Sequence, residues 1–170
     1  MALQTREQHI KRDRATSNIC TAQVLLSVIA GMYAVYHGKD GLIKIATKIA
    51  TLTQLLENGI SSLDYNQENE NFFDTLKIKV SSEDKDKIKK LAETNYLNFR
   101  YFETDHIGIS LDETTQVSNV LDILNIFSEV SGKSLEINLN NIDDLNHNIS
   151  GNQIRNSEFL SHEVFNKYHT

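Results

Sequence analysis

The stretch FFDTLKIKV, residues 72–80, decides the fold class, because its apolar residues recur at every second position. Leu76, Ile78 and Val80 share one face of an extended chain, and the lysines between them share the other. This alternation is typical of a strand that is buried on one side and exposed to solvent on the other. The sequence therefore predicts a half-buried β-strand here.

A helix is predicted directly after this strand. Ser81, followed three residues later by Asp84, resembles a capping box at a helix N-terminus. The apolar residues Ile88, Leu91 and Ala92 are expected to face the core. The four lysines of this segment, Lys85, Lys87, Lys89 and Lys90, are expected to face water.

Two further strands and a helix are predicted next. Residues 98–103 and 107–111 alternate around a polar turn, which predicts a hairpin. Thr114 or Thr115 can then cap a helix with apolar residues at helical spacing, and Gly132 ends it. The order of this unit is therefore β-α-β-β-α.

A pair of helices is predicted before the first strand. Apolar residues three and four positions apart define one helix that ends at Gly38 and another that runs from Asp40 to Gly59. The loop 64–71 has little to bury and is expected at the surface. Together the patterns predict an α+β fold, with a helix pair followed by the small β-α-β-β-α unit.

The remaining segments differ in composition. Residues 1–20 are polar and form a lead-in, whereas residues 21–132 carry the patterns of the α+β domain. Residues 133–170 begin as an Asn-rich linker and end, from Phe159, in an apolar tail that is expected to dock on something. This gives a predicted division into three parts.

Charge and hydropathy exclude several classes of partner. The formal net charge is −6, with 17 Lys and Arg against 23 Asp and Glu, and nonspecific nucleic-acid binding depends on clustered cations. The longest apolar stretch, 24–35, is shorter than the about 20 residues that span a bilayer. Neither nucleic acid nor a membrane is expected, and the lone Cys20 suits a reducing compartment.

Residue patterns that carry chemistry are weak. Cys20 is interpreted as a small apolar residue, since no base is placed beside it. No glycine-rich phosphate loop links a strand to a helix. The histidines are scattered without metal-ligand spacing, so no metal site is predicted; they are His9, His37, His106, His147, His162 and His169.

Several longer stretches carry a resemblance to a known family. They are ALQTREQHIKRDRATSNICTAQVLL (2–26), MYAVYHG (32–38), FFDTLKI (72–78), NFRYFE (98–103), GISLDET (108–114) and FLSHEVFNKYH (159–169). In these stretches, and in their order, the chain resembles the glycine cleavage system P-proteins, which are glycine dehydrogenases (decarboxylating). The resemblance spans essentially the whole chain.

The resemblance implies a fold and an activity. The fold is the C-terminal small domain of a type I pyridoxal-phosphate (aminotransferase-like) enzyme, at the end of the first of two homologous halves. The implied enzyme is an oxidoreductase that decarboxylates glycine with pyridoxal 5'-phosphate and passes the aminomethyl group to the lipoyl group of H-protein. The resemblance implies that the large domain before residue 1 and the second half after residue 170 are missing, which makes the chain a fragment with residues 1–20 as the lead-in.

The resemblance also implies which residues matter. The lysine that holds the cofactor belongs to the second half, so no residue here is expected to be catalytic or to bind the cofactor directly, and the fragment is expected to be inactive alone. Arg12, Thr16, Ser17 and Asn18 are candidates to lie near the shared cleft, where hydroxyls and helix N–H groups suit an anion.

The implied partners are the rest of the P-protein, including a dimer mate, lipoylated H-protein and glycine. The implied location is the cytoplasm of a bacterium or the mitochondrial matrix of a eukaryote. An alternative stays open, namely a stand-alone α+β module for interaction or dimerisation that uses no cofactor.

Overall fold

The computed structural model describes residues 21–137, 139 and 151–168. These residues fall into two compact units. One unit contains residues 21–42 and 158–168, and the other contains the described residues from 43 to 157. The predicted division into residues 1–20, 21–132 and 133–170 concerns parts of a larger protein and stays a prediction.

Along the described chain, pairs of strands lie between helices. In order they are α1 (Thr21–Ser62), β1 (Asn66–Gln67), β2 (Thr75–Lys79), α2 (Ser82–Thr94), β3 (Arg100–Tyr101), β4 (His106–Ser110), α3 (Val117–Ser131), a short 3₁₀ helix (Gly151–Gln153) and α4 (Val164–Lys167). This order confirms the predicted α+β class, with helices first and a small mixed unit after them.

Helix α1 is broken where the sequence predicts the first helix to end. Gly38 has φ 61° and ψ −173°, a conformation that is open essentially to glycine alone. The predicted end at Gly59 is wrong, because the helix continues to Ser62. Gly59 instead lets another helix approach, since a Cβ there would lie 2.6 Å from both Cδ atoms of Leu124.

The sheet has the strand order β1-β2-β4-β3, and all its pairs are antiparallel. Leu76 pairs with Ile109 and Ile78 with Ile107, so these four side chains share the buried face. The predicted period of two in residues 72–80 is therefore confirmed. The loop predicted for residues 64–71 contains the unexpected β1, whose polar residues give no alternation of hydropathy.

Caps at the helix starts follow the sequence only in part. The Oγ of Ser81 accepts a hydrogen bond from the Asp84 N–H at 3.0 Å, which confirms the predicted cap of α2. The predicted cap of α3 by Thr114 or Thr115 is wrong, because Gln116 is the N-cap. Both threonine hydroxyls donate to the Asp112 carboxylate instead.

Lys85 corrects the expectation that every lysine of α2 faces water. Its side chain is mostly buried, and its Nζ donates to the carbonyl oxygens of Phe102 at 3.2 Å and Thr104 at 2.9 Å. These bonds join α2 to the β3–β4 turn. The other end of the unit is as predicted, because α3 ends at Gly132 with φ 67°.

The core of the larger unit lies between the buried sheet face and the apolar sides of α1, α2 and α3. The largest fully buried side chains are Phe127, Leu56, Ile60, Leu63, Leu76, Ile78, Ile88, Ile107, Leu124 and Val120. Burial of each such side chain contributes about 1.5–3 kcal/mol of hydrophobic stabilisation. Phe127 lies at the centre of an aromatic group, with Tyr65 and Phe99 at centroid distances of 5.2 and 6.3 Å.

Candidate functional site

The residues predicted to lie near a shared cleft are Arg12, Thr16, Ser17 and Asn18. All four lie outside the described residues, as does Cys20. Their predicted role stays a prediction. The structure instead presents two other groupings of polar side chains, both in the larger unit.

The first grouping lies in a cleft of about 400 Å³ between the middle of α1 and the start of α3. Its lining residues are Ile43, Lys44, Thr47, Lys48, Thr51, Leu52, Gln116 and Val117. Residues three and four apart on a helix project from the same side, which explains how α1 supplies six of them. We call this space the α1–α3 cleft.

The polar side chains of the α1–α3 cleft differ in whether they have hydrogen-bond partners. Lys48 Nζ donates to the Glu113 carbonyl oxygen at 3.0 Å. Lys44 is exposed and makes no hydrogen bond or ion pair with a residue that the structure describes. Thr51 is only 8% exposed, yet its hydroxyl has no hydrogen-bond partner within the same described part of the chain.

The second grouping lies on the open face of the sheet. The Glu68 Oε2 atom is 2.9 Å from Lys77 Nζ and 2.8 Å from His106 Nε2. The other ring nitrogen of His106 hydrogen bonds with Thr104 Oγ1 at 2.9 Å. The Lys77 hydrogen bond, followed by that of His106, holds the pKa of the Glu68 carboxyl below its usual value. This grouping ties the β1 region to β2 and β4.

The lowered pKa of Glu68 predicts a pH-dependent contribution to stability. A carboxyl with a depressed folded-state pKa stabilises the fold above its unfolded pKa, about 4.3 for Glu, and loses that effect as pH falls through the folded value. Glu68→Gln is therefore expected to lower the melting temperature at pH 7, with a difference from the parent chain that shrinks below about pH 4.3. Thermal unfolding followed by circular dichroism measures this difference.

Glu103→Gln is the matched control, because Glu103 is exposed and has no hydrogen bond or ion pair among the described residues. It should leave the melting temperature unchanged across the same pH range. A constant difference for Glu68→Gln from pH 7 down to acid would contradict the assigned ion pair.

Tyr65 has a buried hydroxyl that belongs to neither of the two polar groupings. The hydroxyl lacks a hydrogen-bond partner among the described residues. Burial, followed by the charge of Asp84, raises the pKa of Tyr65 to about 12. The phenol therefore stays protonated at neutral pH and acts as part of the aromatic core.

None of the residues of the α1–α3 cleft was predicted from the sequence as a site residue. The spacing of Lys44, Lys48 and Thr51 on one helix was visible in the sequence. The position of the α3 start across from them was not, since it depends on how distant segments pack. Likewise, the approach of Glu68 to His106 depends on β1, which had no sequence signal.

The described residues lack two further features. They contain no group of three or more His, Cys, Asp or Glu side chains that could hold a metal ion. None of the described helices combines the length and the apolar character that crossing a membrane requires.

Comparison with known proteins gives consistent matches. The family described as glycine cleavage system P-protein matches residues 1–127. The glycine dehydrogenase (decarboxylating) of Bacteroides fragilis strain YCH46 is 46% identical over 173 residues, which cover 100% of this chain and 18% of that protein. The enzyme of the same name from Nostoc sp. strain PCC 7120 is also 46% identical, with the same coverage of both chains. The chain thus spans less than a fifth of the length of these relatives.

Among solved structures, a glycine decarboxylase (P-protein) of the glycine cleavage system in inhibitor-bound form is similar. The TM-score is 0.58 at 22% identity, over 76% of this chain and 31% of that one. This likeness supports the α+β fold. The sequence matches extend over most or all of the chain, and the chain therefore belongs to the glycine cleavage system P-protein family.

Proposed function

We propose that this chain acts within a longer glycine dehydrogenase (decarboxylating), where it forms a small supporting domain and carries no catalytic residue of its own. The observation that carries the proposal is the family match over the whole chain to enzymes of which it spans 18%. The relatives bear the name of the activity, and the proposal extends that activity to the longer protein.

The exposed surface of α1 before Gly38 supports a role inside a larger protein. Its large apolar residues are exposed to solvent in the described chain; they are Val24, Leu25, Leu26, Val28, Ile29, Met32 and Tyr36. A helix that is apolar around most of its circumference is normally buried in a larger protein. The proposed cover is the remainder of the P-protein, as the greater length of the relatives suggests.

The family implies pyridoxal 5'-phosphate in the complete enzyme, but the described lysines do not fit its covalent attachment. A lysine that attacks an aldehyde at neutral pH is usually desolvated. Lys39 is paired with Glu158 and Lys77 with Glu68, each at 2.9 Å. Lys48 and the mostly buried Lys85 donate to carbonyl oxygens, and the other described lysines are exposed. No residue of the described chain is therefore assigned to the cofactor, which is proposed to bind elsewhere in the longer protein.

The proposed partners follow from the same family. They are the remainder of the P-protein, including its dimer mate, lipoylated H-protein and the substrate glycine. The proposed location is the bacterial cytoplasm, since the matched relatives come from bacteria; in a eukaryote it would be the mitochondrial matrix.

A chimera tests the proposed function. The matching 173-residue segment of the Bacteroides fragilis enzyme is replaced by this chain, and glycine-dependent CO₂ release is measured in the presence of lipoylated H-protein. The chimera is expected to keep activity of the same order as the parent enzyme, whereas the 170-residue chain alone, with pyridoxal 5'-phosphate and glycine, should release none.

Two aspartate substitutions in the chimera test the role of the apolar helix. Leu25 is 65% exposed and would be covered, so Leu25→Asp would bury an unpaired charge and is expected to reduce CO₂ release at least roughly tenfold. Tyr96 is 95% exposed and lies outside that helix, so Tyr96→Asp should have no effect. Equal activity of the two variants would rule out the proposed cover.

The alternative, a stand-alone interaction or dimerisation module, would use the same exposed helix. It predicts an inactive chimera together with an isolated chain that sediments as a dimer and becomes monomeric with Leu25→Asp. Sedimentation velocity on the isolated chain separates the two functions.

A further inference from the structure

We propose that the α1–α3 cleft binds a small organic carboxylate with an apolar body, whose carboxylate lies between Lys44 and the start of α3. This inference does not depend on the proposed function, because it rests on the side chains of the cleft alone. It concerns a site distinct from the predicted residues Arg12, Thr16, Ser17 and Asn18.

The size and the walls of the cleft suit the apolar part of such a ligand. Its volume of about 400 Å³ falls within the range of roughly 300–1,000 Å³ that is usual for small-molecule sites. Ile43, Leu52 and Val117 supply aliphatic walls. Contact with them would remove apolar surface of both ligand and protein from water.

The charges around the cleft are of one sign. None of the lining residues is acidic, while Lys44 and Lys48 are both cationic. Lys44 has no partner among the described residues, and Lys48, which gives one hydrogen bond to Glu113, keeps further N–H donors. An anion in the cleft would therefore meet two cations and no fixed negative side chain of the lining.

The start of α3 adds donors on the opposite wall. This helix has 15 residues, and its first turn contains no acidic residue. The Asn119 N–H donates to Gln116, whereas the Val117 and Ser118 N–H groups have no partner within the helix, and the helix dipole places partial positive charge there. The Val117 wall of the cleft is thus favourable for a carboxylate.

Thr51 is the independent observation that points to a ligand. Its neighbour in the same helix, Thr53, satisfies its hydroxyl by donating to the Ile49 carbonyl oxygen at 2.9 Å. Thr51 is 8% exposed and lines the cleft, but its hydroxyl has no partner in the described chain. The hydroxyl therefore reaches the cleft without a partner, and a carboxylate oxygen bound there would accept its hydrogen.

An NMR titration tests the proposal with sodium octanoate as the probe. Amide resonances of the 170-residue chain are followed as octanoate, 1-octanol or inorganic phosphate is added. Saturable shifts at Lys44, Thr51 and Val117 are expected with octanoate, and affinities at least roughly tenfold lower with the neutral alcohol and with phosphate. Equal affinity for octanol would overturn the role of the charge, and equal affinity for phosphate would overturn the role of the apolar body.

Three variants complete the test. Lys44→Gln and the nearly isosteric Thr51→Val are each expected to weaken octanoate binding roughly tenfold. Lys79→Gln removes the same charge from an exposed position on β2 outside the cleft and should bind like the parent chain. Each variant must keep the dispersed amide spectrum of the parent. Unchanged affinity in folded Lys44→Gln and Thr51→Val would overturn the proposal, as would an absence of saturable shifts in the parent chain.

Discussion

Phe127→Ala is expected to lower the free energy of unfolding by about 3–5 kcal/mol, which is the cost of removing a large aromatic side chain from a close-packed core. Phe127 is fully buried in the cluster formed by the sheet and three helices. Its ring meets Tyr65 edge-on at 85° and Phe99 at 41°, so its loss would leave a cavity with aromatic walls. Urea denaturation followed by circular dichroism measures the change.

Phe73→Ala is the matched control for Phe127→Ala, because Phe73 is exposed and the same atoms are removed. It is expected to change the free energy of unfolding by less than about 0.5 kcal/mol. Comparable losses in the two variants would show that residue 127 is not the centre of the core. A loss of the whole transition in Phe127→Ala, with retention in Phe73→Ala, agrees with the prediction for a domain of low stability.

Gly59→Val is expected to destabilise the chain by about 3 kcal/mol through overpacking. A Cβ at this position would lie 2.6 Å from both Cδ atoms of Leu124 and 3.0 Å from Cδ1 of Ile137, and valine adds two more carbons. Leu124 is fully buried, so it has no space into which it can withdraw. These atoms are the ends of side chains in the packed core, so Leu124 and Ile137 must adopt less favourable rotamers, and thermal or urea unfolding measures the cost.

Gly31→Val is the control for the effect that replacing glycine by valine has on helix propensity. It also lies within α1, but a Cβ there would meet nothing within 4 Å. Gly31→Val should therefore leave stability unchanged or raise it slightly, since valine forms helices better than glycine. The double variant Gly59→Val with Leu124→Ala should lose less stability than the sum of the two single changes. Strict additivity would contradict the assigned contact.

Local patterns in the sequence predicted the elements whose period matches one buried face. Residues 72–80 predicted β2 because every second side chain enters the core. Ser81 predicted the start of α2 because its hydroxyl accepts a hydrogen bond from the Asp84 N–H. Gly38 and Gly132 gave helix boundaries because both adopt positive φ. Each of these features is decided within a few residues of the chain.

Features set by contacts between distant segments were not predicted. Gly59 follows the last apolar residue of the predicted helix, a position that predicts the helix end. In the structure, the absence of a side chain at Gly59 leaves room for the Leu124 side chain of α3. Lys85 has the character of a surface residue, but carbonyl oxygens 17 and 19 residues away accept its hydrogen bonds. The two strand residues of β1 pair with β2 through their backbones, which carry no sequence signal.

For function as well, part could be predicted from the sequence and part depended on how distant segments pack. The family and its activity class came from long matching stretches, which report shared ancestry and do not depend on local physics. The predicted residues Arg12, Thr16, Ser17 and Asn18 lie outside the described chain. The α1–α3 cleft was invisible in the sequence, because its two walls are separated by more than 60 residues and meet only in the folded unit.

The outer strands of the sheet, β1 and β3, are each two residues long. Fibril growth by strand addition requires a run of consecutive backbone amides and carbonyls that a second molecule can pair with. In the described part of the chain, the short edge strands offer very few unpaired backbone amides and carbonyls. The sheet is consequently a poor template for amyloid-like stacking.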